Sequence, residues 1–346
     1  MKSLFSMFFY LAILLYLLLS SLVRKNLILM WFNIFFLICI AGLRTINVGT
    51  DTHAYKDIYG WIESGTGDFI EPGWYLLNVI VQLLGGNFNS LLLIAATLTL
   101  VPIGLVSSRY GKNPSLCLFF YFSIFAYLQS FNIMRQMLAV SWVLLACTYL
   151  DRRLNFRFLI IIAIATTIHT SALIAVPLLW IHHFKLSNDR IKWMLFITFI
   201  LGFLLSDTVF AFLAGPYASY VESGNFSRDN LMITYLQVVL MNILFYSIYY
   251  TSNLELRNTL PVKIFFIAVV IMNFTARLGL GSRIMLYFTI IQVILFPLYL
   301  SNNRIKNKGC TWLAVILYCF LIFMKLLIWD GNQVTPYSSI FSKDLL

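Results

Sequence analysis

The sequence predicts an all-α fold, a polytopic integral membrane bundle of about 10–12 transmembrane helices. Three observations carry this. The 346 residues are 61% hydrophobic and only 11% charged, with a mean hydropathy of +0.87, whereas a soluble domain carries about 25% charged residues. Apolar runs close to the ~20 residues that span a bilayer core recur along the whole chain. The 24 Lys and Arg, against 13 Asp and Glu, lie mostly in short loops between those runs. That is a membrane-topology pattern, not a nucleic-acid surface. Long unbroken runs also exclude a barrel, whose strands alternate.

Apolar helices are expected at 4–22, 27–43, 90–107, 115–131, 136–150, 158–181, 193–214, 231–250, 261–276, 284–300 and 311–329, with a shorter one at 74–84. One Lys precedes the first run and no small-residue cleavage site follows it, so the first helix reads as retained. Arg24 and Lys25 put the first connection in the cytoplasm. The segment 44–73 is then outside, and it is acidic. Arg109 and Lys112, then Arg152, Arg153 and Arg157, mark two more cytoplasmic loops. Both stay inside if only 90–107 crosses and Glu71–Leu84 lies on the outer surface as an interfacial helix. A single crossing at 158–181 would leave eight positive residues outside, against four otherwise. The sequence therefore favours a broken or re-entrant helix there, with its apex near Thr167–Ser171. All of 1–346 reads as one polytopic domain, with the outer loop 44–89 inside it. Cys39, Cys117, Cys147, Cys310 and Cys319 are isolated and read as small core residues.

In this topology Arg44, Arg135, Arg277 and Arg283 all lie toward the outer face, the side that normally avoids positive charge. Individual arginines snorkel at helix ends, but four together point to an anion site. Arginine is permanently charged and forms bidentate bonds to phosphate oxygens. An outward-facing membrane site of this kind suits a lipid-linked phosphate or pyrophosphate. In the polar stretch Arg44–Tyr55, Asp51 and His53 either face a cleft or belong to a plain turn with Asp51 as a helix N-cap. Pro72 fits a first helical turn. Trp74 and Tyr75 fit headgroup anchoring or stacking on sugars. His169 is an ionisable residue inside an apolar run, which is a functional hypothesis by default. His182 and His183 read as a solvated rim. Asp330 and the tail around Pro336 and Tyr337 receive no assignment.

Five motifs occur in order: Arg44-Thr-x-x-Val-Gly-Thr-Asp51-x-x-x-Tyr55, Glu71-Pro72-Gly73, Asn132-x-x-Arg135-Gln136-x-x-Ala139, Ile168-His169-x-Ser171-Ala172 and Arg283-x-x-x-Tyr287-Phe288. Together, over roughly 40–300, they resemble the EpsG family, the Wzy-like group of bacterial polysaccharide polymerases. The resemblance implies a multi-pass protein of the bacterial inner membrane that joins undecaprenyl-pyrophosphate-linked oligosaccharide repeat units of O-antigen, capsule or exopolysaccharide on the outer face. It also implies partners in the bilayer: a repeat-unit flippase and a chain-length regulator. The expected catalytic residues are His169 and Asp51 as candidate bases, with Arg135 and Arg283 on pyrophosphate. Arg44 and Arg277 support them. Glu71, Trp74, Tyr75, Asn132 and Gln136 are expected to contact substrate. No carboxylate cluster looks built for a metal, so a metal-independent glycosyltransferase without cofactor is expected. The alternatives are a transporter or flippase of lipid-linked glycan, an O-antigen ligase and a membrane O-acyltransferase. A flippase predicts paired repeats, and none is visible. A ligase predicts a larger outer domain. An acyltransferase predicts a basic donor loop beside His169, which is missing.

Overall fold

Each apolar run of the sequence folds as helix in the computed structural model of the chain, which describes residues 2–23, 25–67, 70–110, 113–213, 231–276, 279–302 and 307–341. In chain order the helices are α1 (Lys2–Ser20), α2 (Leu27–Gly42), α3 (Thr52–Glu63), α4 (Pro72–Leu83), α5 (Phe88–Tyr110), α6 (Pro114–Ser123), α7 (Ala126–Asn132), α8 (Met134–Asp151) and α9 (Asn155–Ile168). A 3₁₀ helix, η1 (Thr170–Trp180), follows. Then come α10 (Asn188–Leu213), α11 (Leu231–Thr251), α12 (Leu254–Arg257), α13 (Leu260–Phe274), α14 (Gly279–Thr289), α15 (Gln292–Leu300) and α16 (Lys308–Trp329). Among the described residues, four helical stretches are long and apolar enough to cross a membrane: Ser3–Ser20, Phe88–Tyr110, Arg283–Leu300 and Lys308–Trp329. The α6–α7 pair makes a fifth if its bent halves are one span. The protein is a multi-pass, helical membrane protein.

Local chemistry sets the boundaries. The side chain of Asn26 caps α2 by accepting from Leu29 N at 2.9 Å, and Asn113 caps α6 from just before Pro114. The expected single helix at 115–131 is instead two, bent by 55°, because Phe125 adopts a left-handed conformation at φ +68°. The expected helix at 284–300 is likewise interrupted, by a turn at Ile290–Ile291. The expected break in 158–181 falls at His169, which is extended at φ −152° and ψ 115°. Helix α3 lies inside the segment 44–89 that the sequence predicts as an outer loop. It buries Thr52, Tyr55, Ile58, Tyr59 and Ile62, a spacing of three to four residues, while its other face is polar.

The chain groups into two compact units. One comprises Met1–Val176, Phe296–Ser301 and Asn307–Leu346, and the other Pro177–Leu295 and Asn302–Lys306. In the first, α8 packs on α9 and α5, α2 on α5, and α1 on α6. Its two ends differ in chemistry. At one end, Arg109 donates to Thr148 Oγ1 at 2.9 Å and to Tyr149 OH at 3.1 Å, and Tyr110 OH donates to Asp151 at 2.7 Å. Lys25, Arg152, Arg153 and Arg157 belong to the same helix ends. The opposite end carries the C-terminus of α2, the short helices α3 and α4, the start of α8 and the end of α9. Helix α4, 12 residues long, reaches about 18 Å, too short to span. It buries Trp74, Asn78 and Val81 and exposes Leu76, Ile80 and Leu83, as an interfacial helix does.

The second unit also gathers positive residues at one end. Lys263 Nζ donates to Ile181 O at 3.3 Å, Tyr249 OH to Leu186 O at 3.3 Å, and Arg190 to Lys185 O at 3.3 Å. Arg257 closes on Tyr250 O at 2.7 Å. Deeper in this unit Asn242 donates to Asn273 Oδ1 at 2.6 Å, and Asn273 to Leu195 O at 3.2 Å. Such interhelical amide pairs hold apolar helices together where no hydrophobic drive exists. All five cysteines are free. Cys117, Cys147 and Cys319 are buried as expected, but Cys310 is exposed, because it sits in the first turn of α16 at the surface.

Candidate functional site

Three elements of the first unit converge on one carboxylate. Pro72 disfavours the helical conformation for the residue before it, and Glu71 accordingly sits outside α4 at φ −54° and ψ 136°, making no cap bond to its own helix. Its side chain is free to reach neighbours. Oε1 meets His169 Nδ1 at 3.0 Å, and Oε2 forms an ion pair with Arg135 Nη1. Arg135 is the second residue of α8, just past the break at Ile133. Its guanidinium carbon lies 5.7 Å from the centre of the Tyr55 ring. His169 stands at the break between α9 and η1. All three polar side chains remain partly open, at 17–26% exposure.

The electrostatics are consistent with a fixed pair. Burial works to raise the Glu71 carboxyl, but the His169 hydrogen bond and the charge of Arg135 outweigh it and hold it below the ordinary carboxylate value. Glu71 is therefore ionised at neutral pH. An imidazole bonded through Nδ1 to a carboxylate presents Nε2 to its surroundings.

The approach of α4 to α9 depends on Gly73. A Cβ there would lie 2.9 Å from Thr167 O and closer still to Thr167 Oγ1. Thr167 is two residues from His169, so the glycine of Glu71-Pro72-Gly73 sets the carboxylate–imidazole distance. Gly73→Ala is expected to separate them and to cost on the order of 10–100-fold in activity, the loss typical of a misplacement near 1 Å. Comparing polymer yield at equal protein level checks this, and full activity would show that the helices do not need this contact.

A family match covers residues 27–339. The chain belongs to the EpsG family. Searches of curated proteins and of solved structures returned no match. Membership points to a glycosyltransferase-like polysaccharide polymerase. Against that background, the other residues of the EpsG motifs fall into distinct settings.

Arg44 is enclosed, at 2% exposure. Its guanidinium donates to Ala41 O, to Phe131 O at 3.2 Å and to Val48 O at 3.4 Å, and lies 4.9 Å from the Phe131 ring centre. Burial pulls its pKa down to about 10, so it stays charged at neutral pH. This arginine ties the end of α2 to the 43–51 turn and to α7. Arg44→Leu removes the guanidinium donor from Ala41 O, at about 1–3 kcal/mol, while Val48 O and Phe131 O keep the Thr52 hydroxyl. The expected result is a lower unfolding temperature in detergent and reduced accumulation. A variant as stable as the wild type would show that these bonds add nothing to the fold.

Gly49, at φ +98°, turns the chain under Phe131 O. Asp51 follows as the residue before α3, the plain-turn reading, although its side chain makes no cap bond. Its backbone N–H donates to Asn132 Oδ1 at 2.8 Å. Asn132 Nδ2 in turn donates to Asn332 Oδ1 at 2.9 Å, so Asn132 is already bonded on both sides. Gln136 is buried. Trp74 is fully buried beside Tyr55, with ring centres 5.7 Å apart. Expected at the headgroups or on a sugar, it is instead core, because its face of α4 turns inward. Tyr75 is partly buried against the same cluster, and His53 is exposed. Arg283 lies exposed on α14 in the second unit. Arg277 lies outside the described residues. Among the described residues, no three His, Cys, Asp or Glu side chains form a set able to hold a metal ion.

Arg135 and His169 stand out in the sequence, but their spacing does not pair them through Glu71. The signal was present in Glu71-Pro72: a carboxylate locked out of its own helix looks for partners elsewhere.

Proposed function

We propose that this EpsG-family protein is a polysaccharide polymerase. It transfers a growing glycan from undecaprenyl pyrophosphate to a hydroxyl of an incoming lipid-linked repeat unit, on the outer face of the bacterial cytoplasmic membrane. The observation that carries the reading is the Arg135–Glu71–His169 cluster, set at the end of the bundle away from Arg109, Arg152 and Arg153. By the positive-inside rule the arginine-rich end is cytoplasmic, and the cluster then faces out.

In the reaction the bond from the anomeric carbon to the pyrophosphate oxygen breaks, and a bond from that carbon to the acceptor oxygen forms. Arg135 stabilises the negative charge gathering on the leaving pyrophosphate, which is worth most in the transition state. His169 Nε2 takes the acceptor hydroxyl proton. Glu71 holds both partners in register. Asp51 is the second candidate base, and Arg283 and Arg277 are further candidates for the pyrophosphate. Tyr75 is a candidate sugar contact. No step requires a metal.

Deleting the gene in its host and running the surface polysaccharide on a gel tests the reading. Single repeat units without a ladder are expected in the null, with a full ladder restored by the wild-type gene. Membranes supplied with the lipid-linked repeat unit are expected to polymerise it in excess EDTA. A null lacking all surface glycan would favour a flippase or ligase, and a normal ladder would sink the proposal. Inhibition by EDTA, reversed by a divalent cation, would overturn metal independence.

A further inference from the structure

The C-terminal tail, which follows α16, returns across the same end of the first unit. Asp330 starts it in a left-handed conformation at φ +43° and accepts from Val334 N at 2.8 Å and Thr335 N at 3.1 Å. Tyr337 then stacks on Phe9, with ring centres 4.9 Å apart, and its hydroxyl donates to Ile40 O at 3.0 Å. Tyr10 OH donates to Val334 O at 2.8 Å. The tail also pairs with the turn after α2. Thr45 N donates to Ser338 O at 2.9 Å, Ile340 N to Leu43 O at 2.9 Å, Gly49 N to Gln333 O at 2.8 Å and Thr50 N to Asn332 O at 3.0 Å.

Asn332 is the residue of this tail that bonds two separate segments near the cluster. Its backbone carbonyl takes Thr50 N, next to Asp51. Its side-chain oxygen takes Asn132 Nδ2, and Asn132 Oδ1 takes Asp51 N. Asp51 opens α3, the helix that carries Tyr55 beneath Arg135. Asn132 ends α7, three residues before Arg135, across the break at Ile133. No continuous helix spans either junction, so the amides there need partners from elsewhere. At the first junction the tail supplies them through Gln333 O and Asn332 O, and at the second it takes the side-chain amide of Asn132.

We infer that Asn332 is a positioning residue of the site. Through Asn132 it sets the start of α3 against the start of α8, and so Tyr55 and Asp51 against Arg135. The catalytic consequence rests on the polymerase reading; the positional one does not. Two isosteric replacements separate the cases. Asn332→Asp keeps the accepting oxygen, and Asn332→Leu removes it while preserving volume.

In detergent-solubilised full-length protein, hydrogen exchange of peptides covering 49–56 and 131–137 is expected to quicken at least tenfold in Asn332→Leu and to stay close to wild type in Asn332→Asp. Peptides of α5 and α9 are expected to be unchanged. In membranes with the lipid-linked repeat unit, Asn332→Leu is expected to lose about tenfold in kcat with KM unchanged, and Asn332→Asp to recover most of it. Unchanged exchange in 49–56 and 131–137 would overturn the inference, whatever reaction the protein performs. Equal impairment of the two variants, tracking a loss of unfolding temperature, would also overturn it and leave the tail a plain stabiliser. A wild type that exchanges as expected but forms no polymer would refute the polymerase reading alone.

Discussion

Arg135→Ala is expected to lower polymer formation by about 10²–10³-fold, the usual loss when a preorganised donor to developing charge is removed. Arg135 is held by Glu71 on one side and by the Tyr55 ring on the other. Its orientation is set by these two contacts, so under the proposed reaction no reorganisation is needed as charge builds on pyrophosphate. Arg135→Lys keeps the charge but not the planar fork. It is expected to recover at most a small part of the activity. The measurement is ladder length and yield at equal membrane protein level, with the unfolding temperature in detergent as a control. A normal ladder from Arg135→Lys would remove the pyrophosphate assignment.

The second large effect concerns the proton. His169→Ala is expected to cost about 10²–10⁴-fold, the range for a positioned general base. Glu71→Gln is expected to cost less, because the imidazole survives but loses its charged partner. The acid behaviour of the two proteins should differ in a defined way. The folded-state pKa of Glu71 is depressed, so its contribution to stability is complete above the unfolded-state value. It is lost as pH falls through the lower folded-state value. Wild type is therefore expected to lose unfolding temperature in that acid window more steeply than Glu71→Gln. Parallel curves would show that the ion pair adds nothing to the fold. Full polymer yield from His169→Ala would eliminate it as the base and leave Asp51 as the remaining candidate.

Much of the fold was legible because bilayer physics is demanding. A backbone in hydrocarbon must satisfy its own hydrogen bonds, so each long apolar run had to be helix. The broken segment at 158–181 was legible for the same reason, through the positive residues a straight crossing would misplace. Helix α3 was not legible. Its buried stripe of Tyr55, Ile58, Tyr59 and Ile62 is diluted by Lys56, Asp57 and Glu63, and in an outer loop that composition reads as irregular chain. The bend at Phe125 was invisible as well, since no glycine or proline marks it.

The site divides along the same line. Composition and charge placement by themselves determined a multi-pass helical protein, and motif order pointed to its EpsG family. They also marked Arg135 and His169, because charged or ionisable residues are costly next to lipid and rarely idle there. Only the tertiary structure decided which charges are partners. Glu71 joins Arg135 and His169 across 64 and 98 residues of chain, and Asn132 meets Asn332 across 200. It also decided that Arg44 and Trp74 face inward. Hydropathy places a residue at a depth in the membrane. Which neighbour its side chain meets depends on how helices rotate and approach, and at Gly73 that approach rests on one missing Cβ.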